Sequence, residues 1–249
     1  MTDPIPAATL VLMRPTAAGP PELLMIERTQ AMAFAAGALV FPGGRIDSGD
    51  HRAAASLGAG FDDAAVRIAA IRETIEETGI AAAITPRPDA IVAAALREGL
   101  SAGEPFEHQL ERHGLRFDLD ALTPFARWCP TFHETRRFDA TFYLAEAPVG
   151  CGEGSADAAE ATRVLWADAR AILAEIEAGR AHAIFPTRRN LERLARFASI
   201  DEARTDAARH SVRKIVPWVE QRRGEDWLCI PDDAGYPITA EPLATARRG

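Results

Sequence analysis

The segment Arg72-Glu73-Thr74-Ile75-Glu76-Glu77-Thr78-Gly79 places the tightest constraint on how this chain can fold. Glu73 and Glu77 are four residues apart and Glu73 and Glu76 three, so the spacing sets all three carboxylates on one helical face. Like charges at that spacing repel by a few tenths of a kcal/mol per pair, on the order of 0.2–0.5. Gly79 reads as the helix stop, which puts Glu76 and Glu77 in the last turn, where the macrodipole also disfavours anions. Two local preferences are broken together, as they often are at functional sites. Ile68, Ile71 and Ile75 form an apolar stripe nearly opposite the glutamates, and Asp62 or Asp63 is placed to cap the start. The expected helix buries its isoleucines and presents its carboxylates outward. A bound divalent cation would turn the repulsion into ligation, whereas a solvated acidic face would leave it to water.

The residues ahead of the helix favour the first of these. Ala38-Leu39-Val40-Phe41 reads as a buried strand, and Pro42-Gly43-Gly44 then breaks regular structure. Glycines let a backbone turn sharply and approach a ligand closely. A strand, a glycine loop and a carboxylate-bearing helix in succession form a more specific constellation than any one of them.

In these residues the chain resembles the Nudix hydrolases, whose signature is G-x5-E-x7-R-E-U-x-E-E-x-G-U with U apolar. Gly44 fits the first glycine, and Arg72 to Ile80 fit the second half, with Thr74 at an apolar position. The first glutamate falls on Asp50, one methylene shorter. Asp50 and Arg72 are separated by 21 residues where the signature has seven, a 14-residue insertion whose loop part is expected at His51 to Gly60. Such an insertion is similar to the subfamily of acyl-coenzyme A diphosphatases. The likeness extends to Arg136-Arg137-Phe138-Asp139-Ala140-Thr141-Phe142-Tyr143 and to Ile184-Phe185-Pro186-Thr187.

The resemblance implies hydrolysis of a nucleoside diphosphate linked to another group, water attacking one phosphorus of the pyrophosphate. Charge building on the transferring and leaving oxygens must be neutralised, and hard oxygen ligands suit Mg²⁺ or Mn²⁺. It implies that Glu73, Glu76 and Glu77 form the metal cluster, with the Gly43 carbonyl a further ligand. Arg72 then pairs with Asp50 or Glu73 and fixes the loop against the helix. A further carboxylate outside the box is usual, and Glu160, ahead of the strand ending in Trp166, is the candidate; Glu134 is an alternative. Arg136 and Arg137 could grip a phosphate bidentately, although paired exposed arginines are more often solvated surface. His133 is not assigned a role. Trp128, Trp166, Trp218 and Trp227 would serve as core or as a stacking surface for an adenine.

Composition narrows the rest. The 249 residues, 47% apolar, suffice for one elaborated unit over 1–249, with insertions at about 51–61 and 85–120 and a C-terminal extension from about 200. Cys129, Cys151 and Cys229 are odd in number and widely spaced, which argues against a disulfide framework or a zinc ribbon and for a reducing compartment. No apolar window has transmembrane length, and the N-terminus lacks a signal-peptide pattern, so a cytoplasmic protein is expected. A net charge of −8 disfavours nucleic acid as a partner but not a small anion, since metals invert the local sign. A nucleotide-type small molecule is the expected partner, with a homodimer possible and no membrane.

Along the chain, Ala7–Met13, Leu23–Arg28, Phe125–Cys129, Phe138–Leu144 and Val164–Trp166 read as strands. Asp89–Gly99, Pro105–Gly114, Asp168–Gly179 and Thr187–Ser199 read as helices, Gly150–Ser155 as a flexible loop, and the tail as a helical stretch with a strand pair around Trp218 and Trp227. Without regular βαβ alternation this predicts an α/β (α+β) fold, a mixed β-sheet flanked by helices in a Nudix-like α/β/α sandwich. Three functions fit: a metal-dependent pyrophosphohydrolase, a silent nucleotide-binding module, or a protein in which the acidic helix merely clips a loop. For the first, the subfamily resemblance favours coenzyme A or acyl-CoA, giving 3′,5′-ADP and (acyl-)4′-phosphopantetheine. ADP-ribose and other nucleotides stay open.

Overall fold

The computed structural model describes residues 3–31, 35–58, 60–130, 137–157 and 159–246. Two strands open the chain, β1 (Ile5–Arg14) and β2 (Glu22–Arg28), followed by the short β3 (Leu39–Val40) and β4 (Gly43–Arg45). Helices α1 (Ser48–Ser56) and α2 (Ala64–Thr78) come next. The hairpin strands β5 (Ile84–Thr85) and β6 (Arg116–Phe117) enclose α3 (Ala90–Ser101) and α4 (Phe106–Arg112). Then follow β7 (Thr123–Trp128), β8 (Phe138–Glu146), β9 (Ala161–Asp168), α5 (Ala169–Glu177), α6 (Phe185–Leu194) and α7 (Ile200–Arg209). The chain ends with β10 (Lys214–Ile215), β11 (Trp218–Arg222), β12 (Glu225–Cys229), β13 (Ala240–Pro242) and α8 (Leu243–Ala246).

Among the described residues, eight strands form one mixed sheet in the order β10-β7-β8-β1-β2-β3, with β4 also on β1 and β9 also on β2. β1 and β8 pair in parallel at its centre. The near-continuous apolar runs of these strands follow from burial on both faces. Along β1, Val11 and Met13 point into one core, while Ala8, Leu10 and Leu12 point into the other. Phe142 and Leu144 of β8 divide from Tyr143 and Ala145 in the same way. The first core packs under α5, α6, α7 and the β11-β12-β13 meander; the second packs under α1 to α4. The result is the helix–sheet–helix sandwich expected for a mixed sheet.

Ile68, Ile71 and Ile75 are fully buried in the second core. At roughly 1.5–3 kcal/mol per buried side chain, they are what holds α2 against β1. Gly79 ends the helix at φ 72°, a left-handed conformation that glycine adopts without a Cβ clash, and its N–H returns to the Ile75 carbonyl at 2.8 Å. Thr74, at the position expected to be apolar, is buried because its hydroxyl donates to the Ala70 carbonyl at 2.7 Å.

Three local expectations are corrected. The box insertion is not a loop from His51: α1 runs through Ser56, its start set by the Asp47 N–H donating to the Asp50 carboxylate at 2.8 Å. Asp63 occupies the N-cap of α2 without a side-chain cap bond, its carboxylate taken up by Arg67 and by the Tyr143 hydroxyl. The stretch Thr187–Ser199 is not one helix. It breaks after Leu194, and the Ser199 hydroxyl caps α7 by accepting the Glu202 N–H.

Candidate active site

β4 lies against β1, and the loop it closes covers the glutamate face of α2. The carboxylates therefore do not point outward. Glu77 is 3% exposed, and its Oε2 accepts the Gly43 N–H at 2.8 Å. A Cβ on Gly43 would collide with the β1 backbone at Ala8 and Thr9, so only glycine lets the loop pass so close, and one on Gly44 would press on the Glu73 carboxylate. The glycine loop and the helix are one structural unit.

Arg72 ties that unit together. Its Nε and Nη2 bond the two Asp50 oxygens at 2.9 Å each, Nη2 also reaches the Arg45 carbonyl at 2.9 Å, and Nη1 is shared by Glu73 at 2.9 Å and Glu76 at 2.7 Å. The shorter Asp50 side chain suffices because α1 brings its backbone close. Buried at 2% exposure, it serves the start of α1 and the guanidinium at once. Burial works against the Arg72 charge, but Asp50, Glu73 and Glu76 outweigh it and hold the guanidinium above its usual range.

The acids are pushed the other way. Burial raises the Glu73 carboxyl to about 7, with Arg72 opposing and Glu76 and Glu160 adding to the rise. Burial also raises Glu77 well above the usual carboxylate range, helped by Glu73 and Glu160 and opposed by the Gly43 N–H and Arg28. Glu76 rises more modestly, desolvation winning over its Arg72 partner. Carboxyls whose proton affinity is raised by burial are ones that a bound cation would ionise.

Glu73 and Glu76 line a cavity of about 780 Å³, while Glu77 lies buried behind its wall. Gly43, Gly44, Arg45, Asp47, Arg72, Glu73, Glu76 and Glu160 supply its polar wall; Phe41, Trp128, Phe138, Phe142, Ile184 and Pro186 are among its apolar residues. Of the four tryptophans, Trp128 lines it, its indole N–H held by the Tyr236 hydroxyl at 2.9 Å. Glu160 reaches the cavity from the loop just before β9. Its carbonyl accepts the Thr29 N–H at 3.0 Å and its N–H donates to the Asp157 carbonyl at 3.0 Å.

Arg28, which the sequence pattern did not single out, also lines the cavity. It sits at a register shift between β2 and β9, and its buried Nε has no hydrogen-bond partner among the described residues. The bulge aims it inward, and no local motif announces such a bulge. Arg137 stands just before β8, its carbonyl accepting the Ile5 N–H at 2.8 Å, and it does not line the cavity. Arg136, Glu134 and His133 lie outside the described residues.

The donors offered here are carboxylate and carbonyl oxygens, with acids in formal excess over guanidiniums, which fits a hard divalent cation. Among the described residues no three His, Cys, Asp or Glu side chains are already gathered at ligating spacing. Arg72 instead stands between Glu73 and Glu76. Among the described residues no helix is long and apolar enough to cross a membrane.

A Nudix hydrolase from Alicyclobacillus acidocaldarius shares 32% sequence identity with this chain, over 82% of this chain and 97% of that one, at a TM-score of 0.69. A MutT protein from Methanosarcina mazei Go1 shares 14% over 79% and 96%, at 0.46. The NUDIX domain of Shewanella oneidensis NrtR, solved with ADP ribose, shares 12% over 79% and 88%, also at 0.46. The latter two scores are too low to bear on function. No family model and no curated protein sequence matches the chain. At the identity and coverage of the first, the likeness is one of sequence as well as fold, and the chain belongs to the Nudix hydrolase family.

Proposed function

We propose that this protein hydrolyses the pyrophosphate linkage of a nucleoside diphosphate joined to another group, with Mg²⁺ or Mn²⁺ held by Glu73, Glu76, Glu77 and the Gly43 carbonyl. The observation that carries the reading is the polar wall of the cavity: Glu73, Glu76 and Glu160 line it beside Gly43 and Gly44, with Glu77 buried behind them on the Gly43 N–H, and the Glu160 charge adds to the rise of both Glu73 and Glu77. When bound, the cation neutralises charge developing on the phosphoryl oxygens.

The chain's own residues divide the remaining work. Glu160 lines the cavity with Glu73 and is close enough for its charge to act on Glu73 and Glu77, and it would orient the attacking water and take its proton. Arg72 holds Glu73 and Glu76 in fixed rotamers, and Asp50 fixes Arg72. Arg28 presents a guanidinium to the phosphate, which a buried and incompletely bonded group favours. As water adds to one phosphorus, the bond from that phosphorus to the bridging oxygen breaks, and the electron pair leaves on that oxygen. The cavity volume suits a nucleotide-sized ligand, and its apolar wall with Trp128 suits a base.

Coenzyme A or acyl-CoA is the proposed substrate, supported by the box insertion; the products would be 3′,5′-ADP and (acyl-)4′-phosphopantetheine. Mass spectrometry of products from CoA, acyl-CoA, ADP-ribose, NADH and a diadenosine polyphosphate, with Mg²⁺, Mn²⁺ or chelator, tests it beside Glu77→Gln. Metal-dependent 3′,5′-ADP from CoA is the expected result. Cleavage of ADP-ribose instead would keep the chemistry and discard the substrate. Full activity in Glu77→Gln would remove the metal cluster assignment.

A further inference from the structure

The last carbonyls of the glutamate helix are bonded in an unusual way. The Glu76 carbonyl accepts Arg97 Nε at 2.9 Å. The Glu77 carbonyl accepts the Asp157 N–H at 3.2 Å and Arg97 Nη2 at 3.5 Å. The Thr78 carbonyl accepts the Ser155 N–H at 2.9 Å. Arg97 Nη1 then bonds the Ser155 hydroxyl at 2.7 Å, closing a ring between three segments. Arg97 comes from α3, which lies within the stretch between the glutamate helix and β7. Asp157 goes on to accept the N–H of Glu160 at 3.0 Å and of Ala161 at 2.8 Å through its carbonyl. Glycine-rich though it is, the loop before β9 is moored at Ser155 and Asp157 to the end of α2.

Orphan carbonyls at a helix end need donors, and a cation there also complements the helix dipole. The backbone cap at Gly79 meets that need for the Ile75 carbonyl. For the carbonyls of Glu76, Glu77 and Thr78 the donors come from the segment that carries Glu160 and from a guanidinium that holds that segment in place. The backbone of Glu76 and Glu77 and the loop of Glu160 are therefore set at a fixed distance by Arg97, which itself does not line the cavity.

We propose that Arg97 is a positioning residue for the hydrolysis, setting Glu160 against the α2 carboxylates through Ser155 and the carbonyls of Glu76 and Glu77. The inference rests on the functional reading above and deepens it. It assigns to the helical segment around α3 a part in the chemistry that its distance in sequence does not suggest.

The test is a double-variant cycle with Arg97→Gln, Glu160→Gln and the pair, measuring kcat and KM with Mg²⁺ on CoA and on ADP-ribose, well below each Tm. Loss of a general base lowers kcat by about 100-fold or more, and displacement of a positioned group by about tenfold to 100-fold. If Arg97 acts through Glu160, Arg97→Gln lowers kcat about tenfold with KM within about twofold, and the pair is no worse than Glu160→Gln alone. Arg97→Lys, which reaches fewer acceptors, falls between wild type and Arg97→Gln. Ser155→Ala, on the exposed side of the ring, lowers kcat in the same non-additive way and serves if Arg97→Gln does not fold. Multiplying losses in the pair, a change confined to KM, or wild-type kcat in Arg97→Gln or Glu160→Gln would overturn the inference while leaving the hydrolase reading standing. A wild-type protein inert on both substrates would overturn the reading itself, and the inference with it.

Discussion

Glu73→Gln is expected to stabilise the metal-free protein at alkaline pH while destroying its activity. A free carboxyl ionises at about 4.5, but in the fold Glu73 holds its proton to about 7 because burial outweighs its pairing with Arg72. The folded state therefore binds a proton that the unfolded state has lost, and the associated stability is fully present below pH 4.5. It is lost as pH rises towards 7 and is gone above it. The difference of about 2.5 in pKa corresponds to about 3 kcal/mol once the group must be ionised in both states. Glutamine has no proton to lose and escapes this cost. For a chain of this size that is roughly 6–12 °C in Tm. Thermal unfolding in chelator across pH 4.5 to 8.5 should show the two proteins alike at the acid end and the variant ahead at the alkaline end. With Mg²⁺ the order should reverse, since ligand binding to the folded state stabilises only a protein that retains the site. A variant that tracks wild type at every pH, or falls below it at pH 8 without metal, would refute the claim that burial dominates at Glu73.

Other expectations follow from the same geometry. Arg28→Ala should raise KM by tenfold or more with a smaller change in kcat, because an incompletely bonded guanidinium in the cavity serves binding; steady-state kinetics on the cleaved substrate decides it. Asp50→Asn should cost about 1–3 kcal/mol in urea unfolding, since it leaves part of the Arg72 guanidinium unpaired in a buried site, and should lower kcat as Glu73 and Glu76 lose their anchor. Ile71→Ala, at a fully buried position beneath α2, should cost about 2–5 kcal/mol with kcat per folded molecule nearly unchanged below Tm.

The stop at Gly79, the isoleucine stripe of α2, the long central strands and the caps at Asp89 and Asp168 all depend on neighbours within a turn or two. Such features are legible in a sequence because period and capping chemistry are local. The helical start at Asp47 was less so. α1 is short and weakly amphipathic, and its identity as a helix depends on Asp50 serving both its own first turn and Arg72, 22 residues on.

The site divides along the same line. That Glu73, Glu76 and Glu77 share a face is arithmetic on 3.6 residues per turn. That the face is covered by the Gly43-Gly44 strand, so that Glu77 is buried and its proton affinity raised, required β4 to pair with β1 across the sheet. Arg28 entered the cavity through a bulge against β9, and Arg97 met the glutamate helix from 21 residues away. Sequence alone determined the elements and the type of chemistry, because side-chain identity and helical period are written residue by residue. Only the tertiary structure decided which charges are desolvated and which are paired, because burial and close approach belong to segments brought together by the collapse of two cores onto one sheet.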